Sequence, residues 1–153
     1  MYGYVLKYQR SGMLNDIAVD DTQGGATPEG FAKILRSIYE MNECDVEVKE
    51  HCFCLLLNRN LKPLGYIKVS EGGLTATIID VRLIIKAALD LNADAVILCH
   101  NHPSGNPHPG SADIKETERL KKACDVFSIR LIDHLILAAD AVYSFADEQT
   151  YKI

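Results

Sequence analysis

Apolar residues recur every three or four positions in two stretches of the chain, and this spacing predicts amphipathic helices. The first predicted helix, over 28–41, begins with Thr27 at the cap, Pro28 at the first helical position and an acid in the first turn, which are residue types that favour a helix start. The second predicted helix runs from about 80 to 91. Ser111, a residue type that caps helices well, predicts a third helix from 112 to about 124.

Short apolar runs between turn residues predict strands. The main runs are residues 50–57, 94–99, 129–137 and 142–145. Residues 64–69 return from a turn and predict a hairpin with 50–57, and residues 1–8 are a further strand candidate. Strands and helices alternate through the middle of the chain, which indicates an α/β fold with helices on both faces of a mixed sheet.

Composition places the chain among globular proteins. Its 153 residues are 48% hydrophobic and 24% charged, which suits one domain with a sizeable core. We predict an N-terminal extension over 1–26 and the domain itself over 27–153. The sequence shows neither a signal peptide nor an apolar run long enough to cross a membrane. These features predict a cytoplasmic protein without a membrane partner.

Charge and cysteine content argue against three further classes. The net charge of −5 disfavours a nucleic-acid-binding surface, because phosphate binding needs clustered Lys and Arg. The five cysteines are odd in number and form no C-x-x-C pair, so neither a disulfide framework nor a thiolate zinc site is expected. Cys52 and Cys54 are spaced to share one face of a strand, where we expect them to be small buried hydrophobes.

The segment after the strand at 94–99 carries the candidate chemistry. It contains two histidines one residue apart, then a Pro/Gly-rich loop that ends in an aspartate. Zn²⁺ in a hydrolytic site takes three protein ligands and leaves a fourth position for water. His100, His102 and Asp113 could supply those ligands if the loop folds back. We expect both histidines just beyond the end of the strand, on a firm platform for a metal.

Each candidate also has a simpler structural interpretation. A His-x-His pair is often a chance surface pair, and Asp113 would also suit the first turn of a helix. His108 is expected to face solvent or to act as a fourth ligand, whereas His51 is expected on a strand face and His134 as a hydrogen-bonded core histidine. Ser104 could orient a substrate or satisfy the backbone of its own loop.

A zinc hydrolase also needs a base close to the metal that does not ligate it. From the residues alone, four glutamates are candidates for this role: Glu43, Glu47, Glu50 and Glu71. Glu50 is favoured because it begins a buried strand that could pair beside the strand at 94–99.

Taken together, these motifs resemble the JAMM/MPN motif of zinc metallopeptidases. In that motif a glutamate lies upstream of His-x-His, and ten residues separate the second histidine from an aspartate. The sequence His-Asn-His-Pro-Ser-Gly-Asn-Pro at 100–107 is similar to the RadC-like JAB branch of that superfamily. Further similar segments are 82–88, 133–136 and 144–145. The resemblance extends over roughly 27–148.

The resemblance implies a three-layer α-β-α fold with a mixed sheet, like that of cytidine deaminases. It also implies Zn²⁺ bound by His100, His102 and Asp113, with Glu50 as the general acid and base. Related enzymes cleave peptide or isopeptide bonds. The implied function is therefore a zinc-dependent metallopeptidase or isopeptidase, in which metal-activated water attacks a peptide-like amide of a peptide or protein substrate.

One position departs from the family pattern. The family has a serine eight residues after the second histidine, where its hydroxyl helps to stabilise the oxyanion. This chain has Gly110 there, and Ser111 follows one step later. At a helix start, a shift of one residue turns a side chain through about 100°. Ser111, Ser104 or a backbone N–H are therefore the candidates for that role.

The glycine supports an alternative function, a non-catalytic metal-binding or protein-interaction module on the same fold. A third possible function is a DNA-repair or DNA-processing role. Full-length RadC proteins carry an N-terminal region like a helix-hairpin-helix, and we expect none here because few residues precede Glu50. The acidic charge also disfavours that role.

Overall fold

The computed structural model describes residues 26–72 and 79–153. The helices within these ranges are α1 (Pro28–Met41), α2 (Val81–Asp90) and α3 (Ser111–Val126). The strands are β1 (His51–Leu57), β2 (Pro63–Glu71), β3 (Ala95–Asn101), β4 (Arg130–Leu137), β5 (Ala141–Ser144) and β6 (Gln149–Lys152). The predicted strand at 1–8 and all but the last residue of the predicted extension lie outside the described residues.

The strands form one mixed sheet in the order β2-β1-β3-β4-β5-β6. β3 and β4 are parallel and are joined through α3, whereas the remaining neighbours pair antiparallel. Cys52 on β1 lies opposite His100 on β3. The strand that follows Glu50 therefore does lie beside the strand that carries the first histidine.

Helices cover both faces of this sheet. On one face, Phe31 and Leu35 of α1 pack in a core cluster with Phe53 and other odd-numbered residues of β1. On the opposite face, α2 and α3 contribute to a second cluster that includes Cys54. The predicted α/β fold with three α-β-α layers is confirmed.

Side-chain caps define two of the helix starts. The hydroxyl of Thr27 accepts a hydrogen bond from the Gly30 N–H at 3.1 Å, as the sequence predicts. Asp80 caps α2 in the same way, with Leu83 N at 3.1 Å from its Oδ1. Because each cap satisfies a backbone N–H that the helix cannot, these residues fix where the helices begin.

The predicted cap of α3 is wrong by one residue. Gly110 is the N-cap, with an extended backbone (φ −84°, ψ 171°), and Ser111 is the first helical residue. The Gly110 N–H donates to Asp113 Oδ2 at 2.8 Å. The Asp113 carboxylate therefore supplies the half of a capping box that bonds the N-cap N–H, and no side chain caps the helix from position 110.

β3 is longer than predicted, and this moves His100 into the strand. His100 lies opposite Cys52 on β1 and Ile136 on β4, and pairing with β4 continues to Asn101. The expectation that both histidines lie beyond the strand is therefore wrong for His100 and holds for His102 alone. In the described part of the chain, no helix is long and apolar enough to cross a membrane.

Candidate metal centre

Three potential metal ligands converge where β3 ends and α3 begins. His100 is the penultimate residue of β3, His102 follows the strand, and Asp113 lies in the first turn of α3. His100 Nε2 is 3.0 Å from His102 Nε2 and 3.3 Å from Asp113 Oδ1, and His102 Nε2 is 3.4 Å from Asp113 Oδ2. Ligand atoms of a tetrahedral zinc with bonds of ~2.0–2.1 Å lie roughly 3.3 Å apart. The three side chains are therefore close enough together to bind one zinc ion.

Hydrogen bonds hold both imidazole rings from behind. His102 Nδ1 donates to the Asn106 carbonyl oxygen at 2.9 Å, which leaves the Nε2 lone pair directed toward the other two ligands. His100 Nδ1 lies 2.7 Å from Nε2 of His134. His134 is 1% exposed, and its Nδ1 lies 2.6 Å from the hydroxyl oxygen of Thr117. Such supporting bonds fix the orientation of metal-binding histidines.

The electrostatics of the cluster favour a bound cation. Burial alone would raise the pKa of Asp113, but the neighbouring imidazoles of His100 and His102 outweigh it and place that pKa well below its usual value. The hydrogen bond to Asp113 in turn raises the pKa of His102, against the opposing effect of burial. Burial and the neighbouring His100 lower the pKa of His134. The carboxylate is thus charged, and a proton or a metal ion can balance it.

The cluster opens on a cavity of about 210 Å³. Its lining includes the three ligand residues and seven others: Glu50, Cys52, Ser70, Ile79, Ala112, Glu116 and His134. Of the four glutamates proposed as the base, Glu50 alone is among the described residues of this lining. Glu71 instead forms ion pairs with Lys49 and Lys68, at 3.6 Å and 3.2 Å.

The backbone around Glu50 is fastened to the residue between the two histidines. Asn101 is fully buried, and its Nδ2 donates to the carbonyls of Val46 and Lys49, both at 2.8 Å. Its Oδ1 accepts from the His51 N–H at 2.7 Å. Asn101 thus bonds to the residues on both sides of Glu50, so one strand residue sets the position of the candidate base relative to the candidate metal ligands.

The other predicted site residues lie around the cluster without lining its cavity. Ser104 is exposed and accepts a hydrogen bond from the Asn106 N–H at 3.4 Å, within its own loop. Ser111 is exposed at the first position of α3. His108 is exposed, with its ring 6.3 Å from that of Tyr143. His51 lies on a strand face, as predicted, on the side covered by α1.

The structure adds residues that sequence analysis did not identify. Ser70 lies opposite Cys52 on the neighbouring strand and lines the cavity. Glu116 lines it too, and accepts from the Ile79 N–H at 3.2 Å. The prediction of His134 as a hydrogen-bonded core histidine is confirmed, but its partner is a candidate metal ligand. Only the tertiary fold could reveal these roles, because strand pairing and a helix bring the residues to the site from distant positions.

The fold and this set of ligands are those of an α/β domain with a candidate metal site. The family model of the RadC-like JAB domain matches residues 26–150. The chain belongs to this family.

Curated relatives that carry the name UPF0758 protein support the assignment. The protein of Flavobacterium johnsoniae is 41% identical over 99 residues, which are 65% of this chain and 43% of the relative. That of Chlorobaculum parvum is 45% identical over 101 residues, 66% of this chain and 46% of the relative. That of Porphyromonas gingivalis is 46% identical over 101 residues, which are 65% of this chain and 44% of the relative. The matched region thus spans less than half the length of these relatives.

Proposed function

We propose that this domain is a zinc-dependent metallohydrolase that cleaves a peptide-like amide bond. The observation that carries the proposal is the convergence of two imidazole nitrogens and a carboxylate within 3.0–3.4 Å of one another, with Glu50 on the wall of the same cavity. Three N/O ligands with an open side are typical of catalytic zinc rather than structural zinc.

Zinc in this position would polarise the substrate carbonyl and lower the pKa of water toward ~7. The protein's own residues would manage the protons. Glu50, which is not one of the three converging groups, would take the proton from the attacking water and deliver it to the leaving nitrogen. Asn101 would hold the backbone on both sides of Glu50 in place.

The carbonyl oxygen of the substrate gains negative charge as the amide is attacked, and it needs hydrogen-bond donors. Serine hydroxyls and backbone N–H groups can supply them, and loss of one such donor typically lowers the rate ~10²–10³-fold. Ser104 and Ser111 stay candidates from the sequence. Ser70 is a better-placed candidate, because it lines the same cavity as Glu50.

The experiment that tests this proposal is Glu50→Gln, with Glu47→Gln as the matched control. Glu47 is an exposed glutamate in the same loop. We expect both variants to keep zinc, and only Glu50→Gln to lose hydrolysis of an isopeptide-linked model substrate, by ~10²–10⁴-fold. Equal activity of the two variants would contradict the role of Glu50. A zinc-loaded wild type that cleaves no amide across a broad substrate screen would contradict the proposed hydrolase function.

A second candidate function is a non-catalytic metal-binding or protein-interaction module, and Gly110 favours it. The site has a glycine at the position where the resemblance implies a serine that stabilises the oxyanion. A Cβ at Gly110 would lie 3.6 Å from Asp113 Oδ2, an ordinary contact, and its φ of −84° suits any residue. Gly110→Ser is therefore accommodated. A zinc-loaded protein that stays inactive as wild type and gains activity as Gly110→Ser would favour the module.

A further inference from the structure

We propose that Thr117, acting through His134, fixes the tautomer of His100 that binds the metal. Both are positioning residues, because neither belongs to the three groups that converge on the metal position. The inference rests on the proposed metal site, and it explains why Nε2 of His100 is free to bind a metal ion there. The cause is a hydrogen-bond chain that runs from α3 through β4 to β3.

The direction of the chain follows from the single hydrogen of the Thr117 hydroxyl. Thr117 Oγ1 is 2.7 Å from the Asp113 carbonyl oxygen, which can only accept. The hydroxyl therefore donates there, and its remaining capacity is that of an acceptor. Its other partner, 2.6 Å away, is Nδ1 of His134. That nitrogen must consequently carry a hydrogen.

The same reasoning applies one step further along the chain. A neutral imidazole with its hydrogen on Nδ1 has a lone pair on Nε2. His134 Nε2 therefore accepts from His100 Nδ1, which is 2.7 Å away. With its hydrogen on Nδ1, His100 presents a bare Nε2 to His102 and Asp113, at 3.0 Å and 3.3 Å. The opposite direction would place a hydrogen on Nε2 and block the metal position.

The hydrogen-bond chain has a candidate metal ligand at each end, and an aromatic ring packs against its middle residue. It begins at the backbone of Asp113, one candidate ligand, and ends at the ring of His100, another. The ring of Phe145 stacks on that of His134, with centroids 4.6 Å apart and planes 7° from parallel, which fixes the plane in which His134 can bond. Metal ligands whose supporting partners are removed typically lose 10–100-fold in metal affinity.

The test compares Thr117→Val with Thr117→Ser. Valine keeps the shape of threonine and removes the hydroxyl, so His134 Nδ1–H loses its acceptor, whereas serine keeps the hydroxyl. The matched control is Ser37→Ala, because the Ser37 hydroxyl also donates to a carbonyl four residues earlier, at 3.2 Å, on the exposed face of α1. Competition with a chromogenic chelator would give the zinc Kd of each protein. We expect Thr117→Val to weaken zinc binding 10–100-fold, and the other two variants to stay near wild type.

A second readout needs no variant. In ¹⁵N NMR spectra of the metal-free wild type, we expect both His100 and His134 to carry their hydrogen on Nδ1. A His100 with its hydrogen on Nε2, or a Thr117→Val variant that binds zinc as tightly as wild type, would overturn the inference. A zinc-loaded wild type without hydrolytic activity would contradict the proposed function and leave both readouts unchanged. A wild type that takes up no zinc would contradict the metal site, while the ring tautomers would still decide the direction of the chain.

Discussion

Apart from the candidate ligand His100, each face of the sheet buries one histidine among the described residues, and the two histidines have different environments. His134, 1% exposed, lies on the face covered by α2 and α3, and both its ring nitrogens have partners. His51, 6% exposed, lies on the face covered by α1. Its Nδ1 is buried without a hydrogen-bond partner among the described residues, 3.5 Å from the half-exposed carboxylate of Glu71.

Hydrogen bonding to a candidate metal ligand, rather than burial, distinguishes the two histidines. Burial lowers the pKa of both side chains. Only His134 is tied by hydrogen bonds to groups that converge on a metal position.

The strongest contrast should come from matched leucine substitutions of the two histidines. His134→Leu removes the acceptor of His100 Nδ1 and leaves a buried donor unpaired, so we expect a 10–100-fold loss of zinc affinity and a fall of about 1–3 kcal/mol in the free energy of unfolding. His51→Leu removes a ring nitrogen that has no hydrogen-bond partner among the described residues and only a 3.5 Å contact to the Glu71 carboxylate. Its zinc Kd should match wild type, and its unfolding free energy should change by less than about 1 kcal/mol.

Chelator competition and urea unfolding would measure both quantities. Equal effects of the two substitutions on zinc affinity would remove the distinction between the two faces. A loss confined to stability in His134→Leu would reduce that residue to a core histidine.

Asn101 connects the two faces, and Asn101→Leu should therefore separate metal binding from turnover. Leucine leaves the carbonyls of Val46 and Lys49 without their side-chain donor, which we expect to destabilise the protein by about 1–3 kcal/mol. The ligands themselves lie on the other face, so zinc content should stay near wild type. Turnover should fall, because the backbone around Glu50 loses its anchor. Asn58→Leu, in the β1–β2 turn where Asn58 Oδ1 accepts from backbone N–H groups, is the control for a generic loss of stability.

The pH dependence of zinc binding should be governed by His102. Since the hydrogen bond to Asp113 raises the pKa of His102 above 6.5, a proton competes with zinc below that raised value. Zinc affinity should fall about tenfold per pH unit there and level off above it, as expected for release of one proton.

The stability of the metal-free protein should instead fall as the pH rises above neutral. Its His102–Asp113 pair contributes stability that is present in full below the unfolded pKa of His102 and is lost as pH rises through the raised folded value. Since the pKa of Asp113 is lowered, the same contribution is lost again only in strong acid. Thermal unfolding at several pH values, with and without zinc, would check both trends. A flat profile without metal would show that the pair is not formed.

The smallest effects should come from the serines, where position relative to the cavity decides the result. Ser104→Ala should leave turnover within about twofold of wild type, because its side chain lies in an exposed loop. Ser70→Ala should lower kcat more than tenfold if Ser70 donates to the substrate oxygen. Steady-state kinetics of the two variants would measure this difference, and equal values would exclude Ser70 from that role.

The sequence was sufficient to predict the layers of the fold and which three candidate ligands come together in space. α1 was predictable because Thr27, Pro28 and a regular apolar spacing all favour the same start, and the structure begins this helix at Pro28. β6 was not predicted, because Gln149–Lys152 is largely exposed and lacks an apolar run. Strand pairing with β5 produces this edge strand, and local pattern does not.

The residues that support the candidate ligands and Glu50 by hydrogen bonds could not be predicted from the sequence. His134 and Thr117 lie 34 and 17 positions from their partners along the chain, and each also suits an ordinary buried or helical position. Likewise, the hydrogen bonds of Asn101 span 50 residues or more. Such contacts depend on which strands become neighbours, and hydrophobic periodicity carries no information on that choice.

The most direct test of the account is the zinc content of the purified protein. Elemental analysis of wild type and of His102→Ala, both prepared without added metal, would count zinc ions per chain. We predict close to one zinc in wild type and little in the variant, because His102 would supply one of the three proposed ligands. An absence of zinc in wild type that added metal does not reverse, or equal zinc in the two proteins, would contradict the metal centre at His100, His102 and Asp113.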